Sequence, residues 1–139
     1  MPPEAAFPDV RGAIATAGFF LEQYDDVYAT GDLTIWDALS MQSCTFCAGV
    51  REQVMTESAA GDFESGNALH LNPDTVTANF YSSDGFTYVT FQYAQDASVL
   101  HHADGSIESA GSGGSGSTSL RMTLVEAIWR VDDVGIEPA

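Results

Sequence analysis

The sequence predicts an α+β domain in which N-terminal helices pack on a curved antiparallel sheet. Three observations lead there. Apolar residues recur at steps of three and four over the first 60 or so positions. Beyond Gly61 the pattern changes to alternation, with turn residues between segments. Helices first and strands afterwards is an α+β order, not the alternating order of a parallel sheet. At 139 residues the chain fits one domain able to bury about two-thirds of its unfolded surface.

Residues 1–8 contain Pro2, Pro3 and Pro8 and read as an extended tail, leaving 9–139 as the domain. Asp9 is a good N-cap for a first helix. From there Val10, Ala13, Ile14, Ala17, Phe20, Leu21, Tyr24, Val27 and Tyr28 form one stripe, and Arg11, Thr16, Glu22, Gln23, Asp25 and Asp26 are expected opposite. Gly31 stops this helix and Asp32 can cap a short second one, Leu33 to Leu39. Ser43 can cap a third, about Cys44 to Ser58, burying Cys47, Val50 and Val54. The helices thus occupy about 9–60 and the strands about 65–131. The strand segments are Ser65–Leu71, Thr75–Tyr81, Phe86–Gln95, a weaker Ala97–His102, and a long Thr118–Val131. Asn72-Pro73-Asp74 and Ser83-Asp84-Gly85 read as turns between them. The run Ser109 to Ser117, almost all glycine and serine, reads as a mobile hairpin tip. A long first helix nested on a strongly curved sheet encloses a cone.

Charge excludes whole classes of partner. Twenty acidic residues face four basic ones, for a formal charge of -16. All four are arginines and lysine is absent. Such a surface repels phosphate backbones and anionic lipids, so nucleic-acid binding and electrostatic membrane docking are disfavoured. The same acid also serves simply to keep a surface solvated, as in halophilic or secreted proteins. No apolar run approaches the roughly 20 residues of a membrane span. The start, Met1-Pro2-Pro3-Glu4, has no basic and apolar leader, which leaves either a cytoplasmic protein or one that begins after a removed signal.

The run Tyr24-Asp25-Asp26-Val27-Tyr28-Ala29-Thr30-Gly31-Asp32, then Trp36 to Ser40, then Cys44-Thr45-Phe46-Cys47, resembles an uncharacterised family of actinobacterial lipoproteins. The shared features are an aromatic-rich first helix, a threonine-glycine-aspartate turn, the Leu39-Ser40 ending, the cysteine pair and the glycine-bearing Gly61 to Gly66 region. The resemblance covers about the first half of the chain. It implies an NTF2-like, cystatin-like cone, export, and lipid anchoring through a cysteine upstream of residue 1. It implies no activity. The expected role is a non-catalytic, extracytoplasmic binding or assembly module in the cell envelope. Its partner would be a protein or a small apolar ligand, with membrane contact only through the lipid anchor and no cofactor.

Few residues can carry chemistry. Cys44 and Cys47, the only cysteines, sit at a helix start, where free N–H groups and the helix dipole lower a thiol's pKa. A structural disulfide suits the inferred oxidising compartment. A redox-active pair has the right spacing but lacks a βαβ setting. A metal site would need further ligands such as His101 and His102, and neighbours on a strand point to opposite faces. His70 and Glu126 are the candidates for acid–base work. Each would serve only if it faced the inside of the cone; otherwise each is a solvated strand residue. Trp36, Tyr88, Phe91, Tyr93 and Trp129 are core or pocket aromatics. A small enzyme using a buried carboxylate in the cone and a thiol–disulfide protein are the alternative functions. No nucleophile elbow, phosphate loop, dinucleotide fingerprint or zincin motif is present.

Overall fold

The first helix, α1 (Val10–Thr30), lies in the hollow of a four-stranded antiparallel sheet, as the apolar stripe requires. The computed structural model describes all residues, Met1 to Ala139. Asp9 caps α1 by accepting the Arg11 N–H at 3.0 Å, and Gly31, with φ of 75°, ends it by donating to the Val27 carbonyl. Helices α2 (Thr34–Leu39) and α3 (Thr45–Ala59) follow. The strands are β1 (Phe63–Ser65), β2 (Leu69–Tyr81), β3 (Phe86–Gln95), β4 (Ser98–His101), β5 (Ile107–Gly111), β6 (Gly114–Val125) and β7 (Ile128–Pro138).

The strands form two antiparallel sheets. The larger runs β2-β3-β6-β7 and the smaller β1-β4-β5. The concave face of the larger one sends Val89, Phe91, Leu120, Met122, Val131 and Val134 onto Ala13, Ala17, Phe20 and Leu21 of α1. Trp36 of α2 fills the centre. Its ring stacks on Phe20 with centroids 4.0 Å apart, and its indole N–H donates to the Cys47 carbonyl at 3.1 Å. Cys44 and Cys47 are disulfide-bonded and buried, pinning the start of α3 into the same core. Cys44, not Ser43, is the N-cap; the Ser43 hydroxyl instead donates to Asp132.

Four local expectations give way to tertiary pairing. Residues 1–8 are not simply extended. Pro3–Ala6 makes a 3₁₀ turn with Ala5 buried. The Trp129 indole donates to the Phe7 carbonyl at 2.8 Å, closing the tail over the start of α1. This requires glycine at position 12, where a Cβ would stand 1.8 Å from the Phe7 carbonyl oxygen. Asn72-Pro73-Asp74 does not end a strand but forms an irregularity within β2, where the register with β3 shifts between Asn72 and Thr77. Because β2 is an edge strand, a proline there costs no internal ladder bond. The glycine-serine run is no free loop. Gly114 to Ser117 pair with Gln95 to Gln92 of β3, and a ladder of backbone bonds needs no side chains. Gly116 also lets β7 pass, since a Cβ there would meet the Glu137 carbonyl oxygen at 2.3 Å.

The predicted strand Thr118–Val131 is in fact two strands. Glu126 and Ala127 both take positive φ, 52° and 67°, and make a two-residue hairpin of the primed kind. A bulge at Asp132 then shifts the β6–β7 register. It buries that carboxylate, which accepts from Ser43 and from Arg121.

Candidate functional site

Side chains fill the cone itself. Phe20, Trp36, Leu120 and Met122 are all fully buried. A shallow groove of about 660 Å³ runs outside the cone between α1 and the edge strand β2, past Ile14, Phe19, Leu71 and Phe91, and a mouth opens where α1, α3 and the two sheets meet. Two cavities lie there. The apolar one, about 80 Å³, is bounded by Leu21 and Tyr24 of α1, Phe46 of α3, Leu69, Tyr93 and Gln95 of β2 and β3, and Thr118, Val134 and Ile136 of β6 and β7. The polar one, about 240 Å³, is lined by Tyr24, Tyr28, Gln53, Glu64, Asn67, Gln95, Asp96, Ser98 and the Ala110–Gly113 turn. Tyr24 and Gln95 border both, so the two read as compartments of one mouth.

Glu64 is the centre of the polar compartment. Alternation along β1 turns it inward, leaving it 4% exposed, while its neighbour Phe63 stands outside. Its Oε1 accepts from the Asn67 amide at 2.9 Å, and its Oε2 takes a long 3.5 Å contact from the Gln53 amide. Asn67 reaches it from the left-handed conformation, φ 66°. The same Gln53 nitrogen donates to Glu57 Oε2 at 3.2 Å, and Gln53 Oε1 accepts the Tyr28 hydroxyl at 3.0 Å. The other Glu57 oxygen, Oε1, is buried and has no partner. Burial first, then the adjacent Glu64 carboxylate, pushes the Glu57 carboxyl up to about 7. Burial likewise raises Tyr24 and Tyr28 above the usual phenol range. No positive group touches either glutamate; every ion pair of the protein lies elsewhere. Two carboxyls that share one amide and lack a counter-ion can hold a proton between them or accept donors from a ligand.

The residues singled out in the sequence do not converge here. Glu126 sits at the exposed tip of the β6–β7 hairpin, and the exposed His70 faces outward from β2, 3.0 Å from Asp96. Neither looks into the cone, because the hairpin turn falls at Glu126 and the β2 register turns His70 to the convex side. Of the five aromatics, Tyr93 lines the apolar compartment. Trp36 and Phe91 are core, Trp129 is tied to the Phe7 carbonyl of the N-terminal tail, and Tyr88 lies on the convex face bonded to Asp84. His101 stacks on Phe63, and His102 bridges Asp62 and Glu108. The Glu108 hydrogen bond chiefly raises the pKa of His102. No group of three or more histidine, cysteine, aspartate or glutamate side chains is arranged to hold a metal.

Sequence reasoning missed Glu57, Glu64 and the Tyr24–Tyr28 pair. One signal was available: Glu57 continues the Cys47, Val50, Val54 stripe of α3 by a step of three, placing an acid on an apolar face.

No family model matches the sequence, and no curated protein is detectably similar to it. Solved structures are similar in fold. The intermembrane-space region of the chloroplast protein ARC6 superposes with a TM-score of 0.64 at 9% identity, covering 96% of this chain and 99% of that one. The β subunit assigned to an aromatic-ring-hydroxylating dioxygenase of Novosphingobium aromaticivorans matches at 0.53 and 12% identity, over 93% and 90% of the two chains. The fold is of the NTF2-like type. Aln2 from a Streptomyces species shares it at a TM-score of 0.52 and 12% identity, over 91% of each chain. A protein of unknown function from Mycobacterium tuberculosis does so at 0.53 and 14% identity, over 91% of this chain and 72% of that one. At such identities the likeness concerns backbone architecture alone.

Proposed function

We propose that this NTF2-like chain is a non-catalytic binding module of the extracytoplasmic, lipid-anchored actinobacterial type, and that its ligand enters the mouth of the cone. The observation that carries this reading is the packing: the interior that would hold a substrate is occupied by Trp36, Phe20, Leu120 and Met122. The mouth has room in two compartments that share Tyr24 and Gln95, and it joins apolar walls to a buried carboxylate, which the wider groove along α1 and β2 lacks. A buried disulfide suits an oxidising compartment, and no helix is long and apolar enough to cross a membrane. Burial also argues against a thiol–disulfide role, since exchange needs an accessible sulfur.

The test is an NMR titration of the labelled protein with small aromatic and aliphatic fragments, followed over a day. Binding at the mouth shifts the amides of Tyr24, Tyr93 and Gln95 and leaves those of Val89 and Leu120 in place, while the fragments stay chemically intact. Shifts that avoid the mouth refute the location. The runner-up, a small enzyme, is favoured by one observation, the Glu57 carboxyl raised to about 7. Conversion of a fragment during the same titration, abolished in Glu57→Gln, would replace the binding reading with the catalytic one.

A further inference from the structure

The polar compartment lacks something its chemistry requires. Glu64 is almost wholly buried, one of its oxygens has only a 3.5 Å contact, and one oxygen of the neighbouring Glu57 is buried with no partner at all. A buried carboxylate is ordinarily matched by a cation. Here three of the four arginines are committed at the surface or the bulge, to Asp9, Asp37 and Asp132. The walls of the compartment supply what a small organic cation uses: two tyrosine rings, the Gln53 and Gln95 side chains, and carboxylate oxygens. Through Tyr24 and Gln95 it adjoins an apolar space lined by Tyr93 and Phe46.

From this geometry we infer that the compartment binds a small protonated amine with an apolar tail. Glu64, on the wall of the compartment, holds its ammonium group, with Glu57 behind it on the shared Gln53 amide, and the tail runs past Tyr24 toward Tyr93. This rests on the mouth being the binding site and adds the class of ligand. The ammonium group displaces the proton carried by Glu57, so binding releases a proton. The other charged or titratable groups near the pair are Asp62 before β1 with its partner His102, Tyr24 and Tyr28 on α1, and Asp96 with its partner His70. A primary alkylamine stays charged from pH 5.5 to 8, so the change with pH belongs to the protein.

The experiment uses isothermal titration and NMR with phenethylammonium chloride, with 2-phenylethanol as the uncharged analogue and calcium chloride as a competing cation. The amine is expected to bind at pH 8 at least about tenfold more tightly than the alcohol. Its affinity should fall about 30-fold by pH 5.5, the cost of expelling a proton from a group titrating near 7. In Glu64→Gln, which keeps an acceptor for Asn67, the amine's advantage over the alcohol should vanish. Unchanged amide positions of the core residues Val89 and Leu120 show that the variant is folded. If the alcohol binds at the mouth but the amine binds no better, the amine inference falls and the binding module stands. Binding of neither compound refutes both. Calcium producing the same shifts as the amine, lost in Glu64→Gln, overturns the amine in favour of a metal ion.

Discussion

Replacing Glu57 with glutamine should change how the stability of the protein depends on pH more than it changes stability at any one pH. In the folded chain the Glu57 carboxyl titrates near 7 against an ordinary 4.5, because it is partly desolvated and faces Glu64. A carboxyl raised on folding favours the native state while it is protonated. That contribution is complete below about pH 4.5 and is lost as the pH rises through about 7. Converted in full, the difference is about 3 kcal/mol. Glu57 keeps contact with water, and screening reduces the working figure to about 1–2 kcal/mol. Glutamine has the same shape and no charge, so Glu57→Gln should match the parent near pH 4 and exceed it by about 1–2 kcal/mol at pH 8. Urea unfolding at both pH values, read by the fluorescence of the buried Trp36 and Trp129, measures this. Because Asp, Glu and His groups elsewhere titrate in both proteins, the difference between the two curves isolates Glu57. Parallel curves, with a gap that does not grow with pH, would refute the claim that Glu57 and Glu64 meet in a desolvated pair.

Two further outcomes follow from the fold. Replacing Glu126-Ala127 with Asn-Gly should raise stability by about 1 kcal/mol, because residues that tolerate positive φ suit both positions. The measurement is the urea midpoint, and ligand binding at the mouth should be unaffected, since Glu126 is exposed at the opposite end of a hairpin from it. Removing the disulfide as Cys44→Ala with Cys47→Ala should cost about 2 kcal/mol, since so short a loop restrains the unfolded chain only modestly. In the parent, thiol labelling under mild reductant should remain silent until denaturant is added, and labelling of the native protein would show an accessible pair.

The sequence by itself determined those features that one element can specify alone. The stripe from Val10 to Tyr28 required a single helix with one apolar face, whatever covered it. Asp9 and Gly31 marked its ends through backbone geometry local to those residues. The order of helices and strands, the alternation over Phe86–Gln95, and the short spacing of Cys44 and Cys47 are equally local properties. Only the tertiary structure decided what depends on a neighbour. Gly114 to Ser117 have no strand propensity and become β6 because β3 offers them a ladder of backbone partners. Pro73 is carried within β2 because β2 is an edge. A hairpin forms at Glu126-Ala127 without glycine or asparagine because the pairing of Val125 with Ile128 imposes it. The pair at the mouth is the clearest case. Glu57 belongs to a helix and Glu64 to a strand of the smaller sheet; in sequence Glu57 shows only as an acid on the apolar stripe of α3, and nothing there joins it to Glu64. Packing places both on Gln53, buries Glu64 and strips part of the water from Glu57, and this desolvation, a property of the assembled core and not of any segment, raises the Glu57 carboxyl.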